Sequence, residues 1–313
     1  MNDAEQLKHN RLVTVATLHY LHGRTHAQIA AQLGLSRVKV TRLLKEAVNG
    51  RIVEFRIADP VAATVDLSLG LEKRFGLKRA IVVPGDGQID RLGREAASLM
   101  MSLLAPGLQI GMGWGNTLNA MVPHLYDAGV GDVSVISLTG GLAANAAQSN
   151  PYDIVTQVAG RIRAAARYLL VPALVRDPAA RSALIADRPA ADVLSRWDRL
   201  DACFLSIGQL SADTGIYYAL DNGGEEVRRV RACGGVGDLL AKPFNADGRF
   251  IGAEFTSAIV AAGFEQIRRA RTVAGVAGGS EKIACVLGAL RTGLMNVLIT
   301  DEACARGVVK AAG

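Results

Sequence analysis

Two groups of residues in this chain have types and spacings that could do chemistry. The first is a run of cations interleaved with short side chains, Arg37, Val38, Lys39, Thr41, Arg42 and Lys45, on the outward face of a helix whose other face carries Val40, Leu43 and Leu44. Guanidinium and ammonium groups so placed neutralise phosphates, and valine and threonine between them are short enough to touch base edges. The second group is a set of glycine-rich turns that follow short apolar runs. They are Gly111-Met112-Gly113-Trp114-Gly115-Asn116-Thr117, Thr139-Gly140-Gly141, Gly208-Gln209 and Gly278-Gly279-Ser280-Glu281-Lys282. Free backbone amides in such turns can cradle an anion, and Lys282, in the first turn of a helix, opposes the helix dipole unless an anion joins it. Asp238, in the flexible-looking loop Gly234-Gly235-Val236-Gly237-Asp238, offers a carboxylate suited to sugar hydroxyls.

Other chemistries fit less well. A dinucleotide fingerprint would need glycine where Asn116 stands, and no Gly-Lys-Ser/Thr follows to make a Walker A loop. His19, His22 and His26 cluster without a cysteine or carboxylate at ligand spacing, so neither a metal nor a cofactor is expected. Cys203, Cys233, Cys285 and Cys304 stand far apart and form no C-x-x-C pair, which points to buried free thiols. No tight acid/base constellation marks an enzyme, although a sugar-phosphate isomerase or deaminase fused to a DNA-binding domain is the alternative. A purely architectural DNA-binding protein would have no use for glycine-rich strand ends around one pocket.

The elements that must position these groups follow from periodicity. Ile29 and Leu33 form an i, i+4 stripe on one helix and Val40, Leu43 and Leu44 on the next, so the two bury their stripes together. Gly34 can take the left-handed conformation that ends the first helix, and Ser36 can cap the second. This is a helix-turn-helix, with Thr25, Gln28, Arg37, Val38, Lys39, Thr41 and Arg42 as its DNA-binding residues. A preceding helix over about Ala4–Leu21 completes its core, and the alternation in Arg51-Ile52-Val53-Glu54-Phe55-Arg56-Ile57 predicts the strand of a wing. Asp59-Pro60 then breaks the pattern, giving a DNA-binding domain over 1–57 and a larger domain over 58–313.

Beyond residue 58 a helix carrying Leu67, Leu71 and Phe75 leads into short apolar strands. These are expected at Ala80–Val83, Gln109–Met112, Val133–Leu138, Tyr168–Val171, Ala202–Ile207, Thr272–Ala277 and Asn296–Thr300, mostly separated by helical segments such as Ile89–Leu104. Buried strands alternating with helices predict a doubly wound, mostly parallel α/β sheet, whose ligands bind beyond the carboxyl ends of the strands. Leu239–Ile251, with Asn245-Ala246-Asp247-Gly248 at its centre, reads as a hairpin.

Composition agrees. Of the 313 residues 50% are apolar and only 5% aromatic, as in an α/β core of Ala, Val, Leu and Gly. Residues 1–57 hold nine Lys and Arg against four Asp and Glu, a net +5 of the chain's +6, so the charge lies where phosphates should be met. No apolar run approaches the ~20 residues that cross a bilayer. The N-terminus carries no apolar signal segment, so no membrane association and a cytoplasmic location are expected. One short helix-turn-helix reads few base pairs, which predicts a homodimer or homotetramer on double-stranded operator DNA.

Taken together these motifs resemble the SorC family of sugar-binding transcriptional regulators, sometimes grouped with DeoR-type regulators. The resemblance runs from Gln28-Ile29-Ala30 and Arg42-Leu43-Leu44 through the turns at Gly111–Thr117, Thr139–Gly141 and Gly278–Lys282 and through Gly234–Asp238 to Leu298-Ile299-Thr300-Asp301, nearly the whole length. It implies an effector domain similar to ribose-5-phosphate isomerase and glucosamine-6-phosphate deaminase, tetramers built from dimers, and a sugar or sugar phosphate as effector. By that resemblance Gly113, Trp114, Gly115, Asn116, Thr117 and Lys282 hold the phosphate or its equivalent, with Asp238 and Gln157 on the sugar. Thr139, Gly140, Gly141 and Gly208 complete the expected effector site.

Overall fold

The computed structural model describes residues 3–55, 61–142, 150–210, 224–252 and 256–313. The chain divides into two compact units, 1–59 and 60–313. In the first, α1 (Asp3–Ala16) runs on through a single π-helical turn, Thr17–Leu21, to α2 (His26–Leu33) and α3 (Arg37–Asn49). Each boundary has a local cause. Thr25 Oγ1 accepts the Gln28 amide at 3.3 Å while Gln28 Oε1 accepts the Thr25 amide at 3.0 Å, a reciprocal capping box that starts α2. Gly34 ends it at φ 64°, and Ser36 Oγ accepts the Lys39 amide at 3.2 Å to start α3. Val15, Ile29, Val40, Leu43 and Ala47 form the buried seam between the helices.

The expected wing strand does not form over 51–55. The Ile52 and Val53 amides bond back to Ala47 O at 2.9 and 3.2 Å, so this segment closes the end of α3 instead of pairing, and Phe55 packs edge-on against Tyr20. Arg56, Ile57 and the Asp59-Pro60 boundary lie outside the described residues.

The second unit begins with α4 (Val61–Phe75) and is built on seven parallel strands: β1 (Arg79–Val83), β2 (Gln109–Met112), β3 (Ser134–Ser137), β4 (Ala165–Arg167), β5 (Ala202–Ser206), β9 (Thr272–Val276) and β10 (Val297–Asp301). Their spatial order is β1-β10-β9-β5-β2-β3-β4. One face is covered by α5 (Ile89–Leu103), the one-turn α6 (Asn116–Asn119) and α7 (Pro151–Ile162), burying Leu92, Met100, Ile110, Ile154 and Phe204. Helices α4, α9 (Arg188–Arg196), α12 (Ile283–Arg291) and α13 (Glu302–Ala311) cover the other, burying Leu71, Val193, Leu205, Val286 and Val308. A small antiparallel sheet joins β6 (Gly208–Gln209), β7 (Gly235–Leu239) and β8 (Lys242–Asn245). Helices α8 (Pro178–Ala186), α10 (Glu225–Ala232) and α11 (Phe264–Arg269) complete the α-helices of the described residues.

Three expectations are corrected. The strand expected at Tyr168–Val171 lies earlier, at Ala165–Arg167, where the Ala165 amide bonds Val133 O at 2.8 Å. The Gly234–Asp238 segment is no flexible loop but for the most part strand β7, which turns at Leu240-Ala241 into β8. The expected hairpin with Asn245–Gly248 at its centre does form, closed by the Phe244–Phe250 bridge. Cys203, Cys285 and Cys304 are buried free thiols, but Cys233 is exposed. None of the described helices is long and apolar enough to cross a membrane.

Candidate functional sites

On α3 the outward face opposite the buried stripe carries Val38, 80% exposed, with Arg37, Arg42 and Lys45 also exposed and Lys39 half-buried. Arg42 Nε lies 3.6 Å from Glu46, which also pairs with Lys8 at 3.3 Å. Thr41 Oγ1 donates to Arg37 O at 3.1 Å and meets His26 Nδ1 at 3.2 Å. His26 itself lies edge-on to His19, ring centroids 5.0 Å apart. Thr25 and Gln28 spend their side chains on the cap of α2. The sequence singles out His26 only as one of a histidine cluster and not for its contact with Thr41, because that partner on α3 is fifteen residues away.

In the second unit the chain leaves β2 outward through β3 to β4, and leaves β5 in the opposite direction towards β9 and β10. The switch point of this open α/β sheet, where ligands of such sheets bind, therefore lies between the carboxyl ends of β2 and β5. Segment 204–208, at the end of β5, is the spine along which the expected residues gather. The Gly113 amide bonds Phe204 O at 2.9 Å, and a Cβ on Gly115 would lie 2.9 Å from Ser206 Oγ. Lys282 Nζ donates to Ile207 O at 3.1 Å, and Gly208 is the register partner of Asp238. A side chain at Gly208 would collide with the Asp238 carboxylate, which fills its place. Trp114, half-buried, packs against three apolar clusters at once, so its indole stands where the sheet faces and the small antiparallel sheet meet.

Electrostatics single out Asp238. Burial pushes its carboxyl up to about 6, and the Ala241 amide, donating to Oδ2 at 3.0 Å, together with the Lys282 charge, holds it from rising further. Lys282 is half-buried and stands immediately before α12, at the end of a 3-10 turn over Ser280–Lys282, without capping the helix through its side chain. Asn116 and Thr117 open α6, but one helical turn sums few peptide dipoles, so the amides themselves would supply most of any attraction there.

Other expected residues are engaged differently. Thr139 is fully buried, its hydroxyl donating to Gly140 O at 3.1 Å, while the Gly140 and Gly141 amides bond Val260 O at 3.0 Å and Val171 O at 2.8 Å. Gln157 is exposed on α7, away from the buried face formed by Ile154, Val155 and Val158, and is not gathered with the others. Asp301, fully buried, accepts the amides of Gly87, Gly279 and Cys304 at 2.9, 2.6 and 2.9 Å and so ties the loops after β1 and β9 to α13. Burial raises its carboxyl and those three amides oppose the rise.

Comparison with known proteins agrees with this architecture. The Sugar-bind family of sugar-binding domains matches residues 59–310. The transcriptional regulator LsrR of an Enterobacter species is 32% identical over 309 residues, spanning 96% of this chain and 92% of that one. The erythritol catabolism regulatory protein EryD of Brucella abortus is 31% identical over 302 residues, 94% of each chain. The crystal structure of the full-length sorbitol operon regulator SorC from Klebsiella pneumoniae superposes with a TM-score of 0.75 at 27% identity, covering 96% of this chain and 98% of that one. The chain belongs to the SorC-type family of transcriptional regulators that carry a sugar-binding domain.

Proposed function

We propose that the protein controls a carbohydrate-utilisation operon from the cytoplasm, binding operator DNA through α3 as a homodimer or homotetramer, with its DNA affinity set by a sugar, polyol or sugar phosphate at the switch point between β2 and β5. The observation that carries this reading is the gathering of Gly113–Gly115, Ser206, Asp238 and Lys282 along segment 204–208. An indole offers a flat apolar face to a sugar ring, a carboxylate accepts hydroxyl hydrogens, and an ammonium with backbone amides suits a phosphoryl oxygen. Among the described residues Lys282 spends one of its three ammonium hydrogens, on Ile207 O, which leaves two to offer a ligand. The regulator names of the relatives support a binding role over catalysis.

A thermal-shift screen of pentoses, hexoses, polyols and their phosphates identifies the effector. A ligand at one hundred times its dissociation constant stabilises by about 2.7 kcal/mol, a readily measured shift. With a phosphorylated effector, Lys282→Ala should lose about 1.5–3 kcal/mol of binding by calorimetry while effector-free operator binding stays at the wild-type level. Unchanged effector affinity would remove Lys282 from the site. Steady turnover of a sugar phosphate would replace the regulator by an enzyme.

A further inference from the structure

From the face of α3 we infer that the protein reads a thymine 5-methyl group in each half-site through Val38 and Thr41, with His26 as the positioning residue that turns the Thr41 methyl towards the base. This rests on the proposal that α3 enters the major groove and specifies what it meets there. Val38 is 80% exposed on a helix whose other face is fully packed, and it is one turn from Thr41. Around it stand Arg37, Arg42 and Lys45, within the first 57 residues, which carry a net +5. An exposed valine ringed by cations is complementary to one surface in particular, a groove walled by phosphates that presents apolar methyl groups on its floor. Duplex DNA supplies that surface at thymine.

Thr41 adds to the same apolar contact because its hydroxyl is already spent. A carbonyl only accepts, so the bond to Arg37 O at 3.1 Å uses the single hydroxyl hydrogen. His26 Nδ1, at 3.2 Å, must then donate to the hydroxyl oxygen. The same logic gives His19 its proton on Nδ1, since it lies 3.0 Å from Arg24 O. With its one hydroxyl hydrogen bound to Arg37 O and its oxygen held by His26, Thr41 has no hydrogen to donate to a base edge, and its γ-methyl is the group it brings to a thymine. His26 thus acts through Thr41 and fixes which of its two groups faces the base.

The test uses the full-length protein and an operator duplex selected from random sequence. Each thymine is replaced in turn by deoxyuridine, which lacks only the methyl group, and binding is followed by gel shift. Loss of one well-packed methyl contact should weaken binding about threefold to fivefold at one thymine in each half-site. Val38→Ala and Thr41→Ser should each shrink that penalty, whereas Thr41→Val, which keeps a methyl group and loses the hydroxyl, should retain it. His26→Ala should reduce the thymine-to-deoxyuridine ratio as Thr41→Ser does, and should have no further effect in a Thr41→Val background, an interaction that a merely structural histidine would not show. If no deoxyuridine substitution changes affinity while Arg37→Ala and Arg42→Ala weaken binding, the methyl reading is wrong and the groove assignment survives. If the arginine substitutions leave binding to operator and to random duplex unchanged, the groove assignment fails and the inference with it. Circular dichroism melts matching the wild type exclude misfolding of these surface variants.

Discussion

Asp238 shows how a single residue can work against the stability of the fold that holds it. Its carboxyl is buried beside Gly208 with the Ala241 amide as hydrogen-bond donor, and burial raises it from 3.8 to about 6. Between those values the native chain keeps a proton on Asp238 that the unfolded chain has released. The folded state therefore binds more protons, and stability falls as pH rises through this window. Complete ionisation withdraws on the order of 3 kcal/mol. Asp238→Asn can still accept the Ala241 amide but cannot titrate, so its stability relative to wild type should climb by up to that amount from pH 4 to pH 7. Thermal unfolding of both proteins across that range measures the difference, and parallel curves would show that ionised Asp238 carries no burial penalty. A sugar whose hydroxyls donate to the carboxylate favours the ionised form, which gives the site a use for a group it otherwise destabilises.

At the scale of elements, the glycines of β7 and α7 are placed for opposite reasons. A Cβ on Gly237 would come within 2.6 Å of Cys285 Cβ and 2.8 Å of Gly208 O, so glycine is what lets β7 lie against α12 and β6. Gly160, inside α7 and exposed, meets nothing within 4 Å. Gly237→Ala should accordingly destabilise the second unit by about 1–3 kcal/mol, while Gly160→Ala should stabilise it by about 0.5–1 kcal/mol. Urea unfolding followed by circular dichroism separates them, and two effects of the same sign would contradict this account of β7. The same contrast explains what could be read in the chain. Caps at Thr25, Gly34 and Ser36 act within a few residues, so the helix-turn-helix was legible from spacing alone. Most sheet strands were legible as apolar runs. The glycines before Asp238 resembled a loop because sequence does not tell a turn from close packing against Cys285. Likewise Tyr168–Val171 looked like a strand because it is apolar, yet its backbone receives the Tyr152 hydroxyl at Leu169 O and Val171 O, and the edge strand is the smaller Ala165-Ala166-Arg167. Gln157 rested on resemblance alone, and the helical period of Ile154, Val155 and Val158 already turns it outward on α7.

For the whole molecule, charge divides more sharply than sequence length does: the first 57 residues hold +5 of the net +6, leaving a sugar-binding unit that is almost neutral. Counterion release makes this partition measurable, because the slope of log affinity against log salt is about −0.9 for each phosphate neutralised. Lys45 is the cleanest probe, since it is exposed and makes no ion pair among the described residues, whereas Arg42 is shared with Glu46. A monomer that loses one phosphate contact through Lys45→Ala should lose about one unit of slope. A two-fold dimer loses the contact twice, once in each half-site, and its slope should shrink by about two. Titrations of operator from low to moderate salt therefore report the number of chains that engage the DNA together, without any structure of the complex. A change near one would reject paired binding. No change would remove Lys45 from the interface and leave the cations at the start of α3 to carry the phosphate contacts.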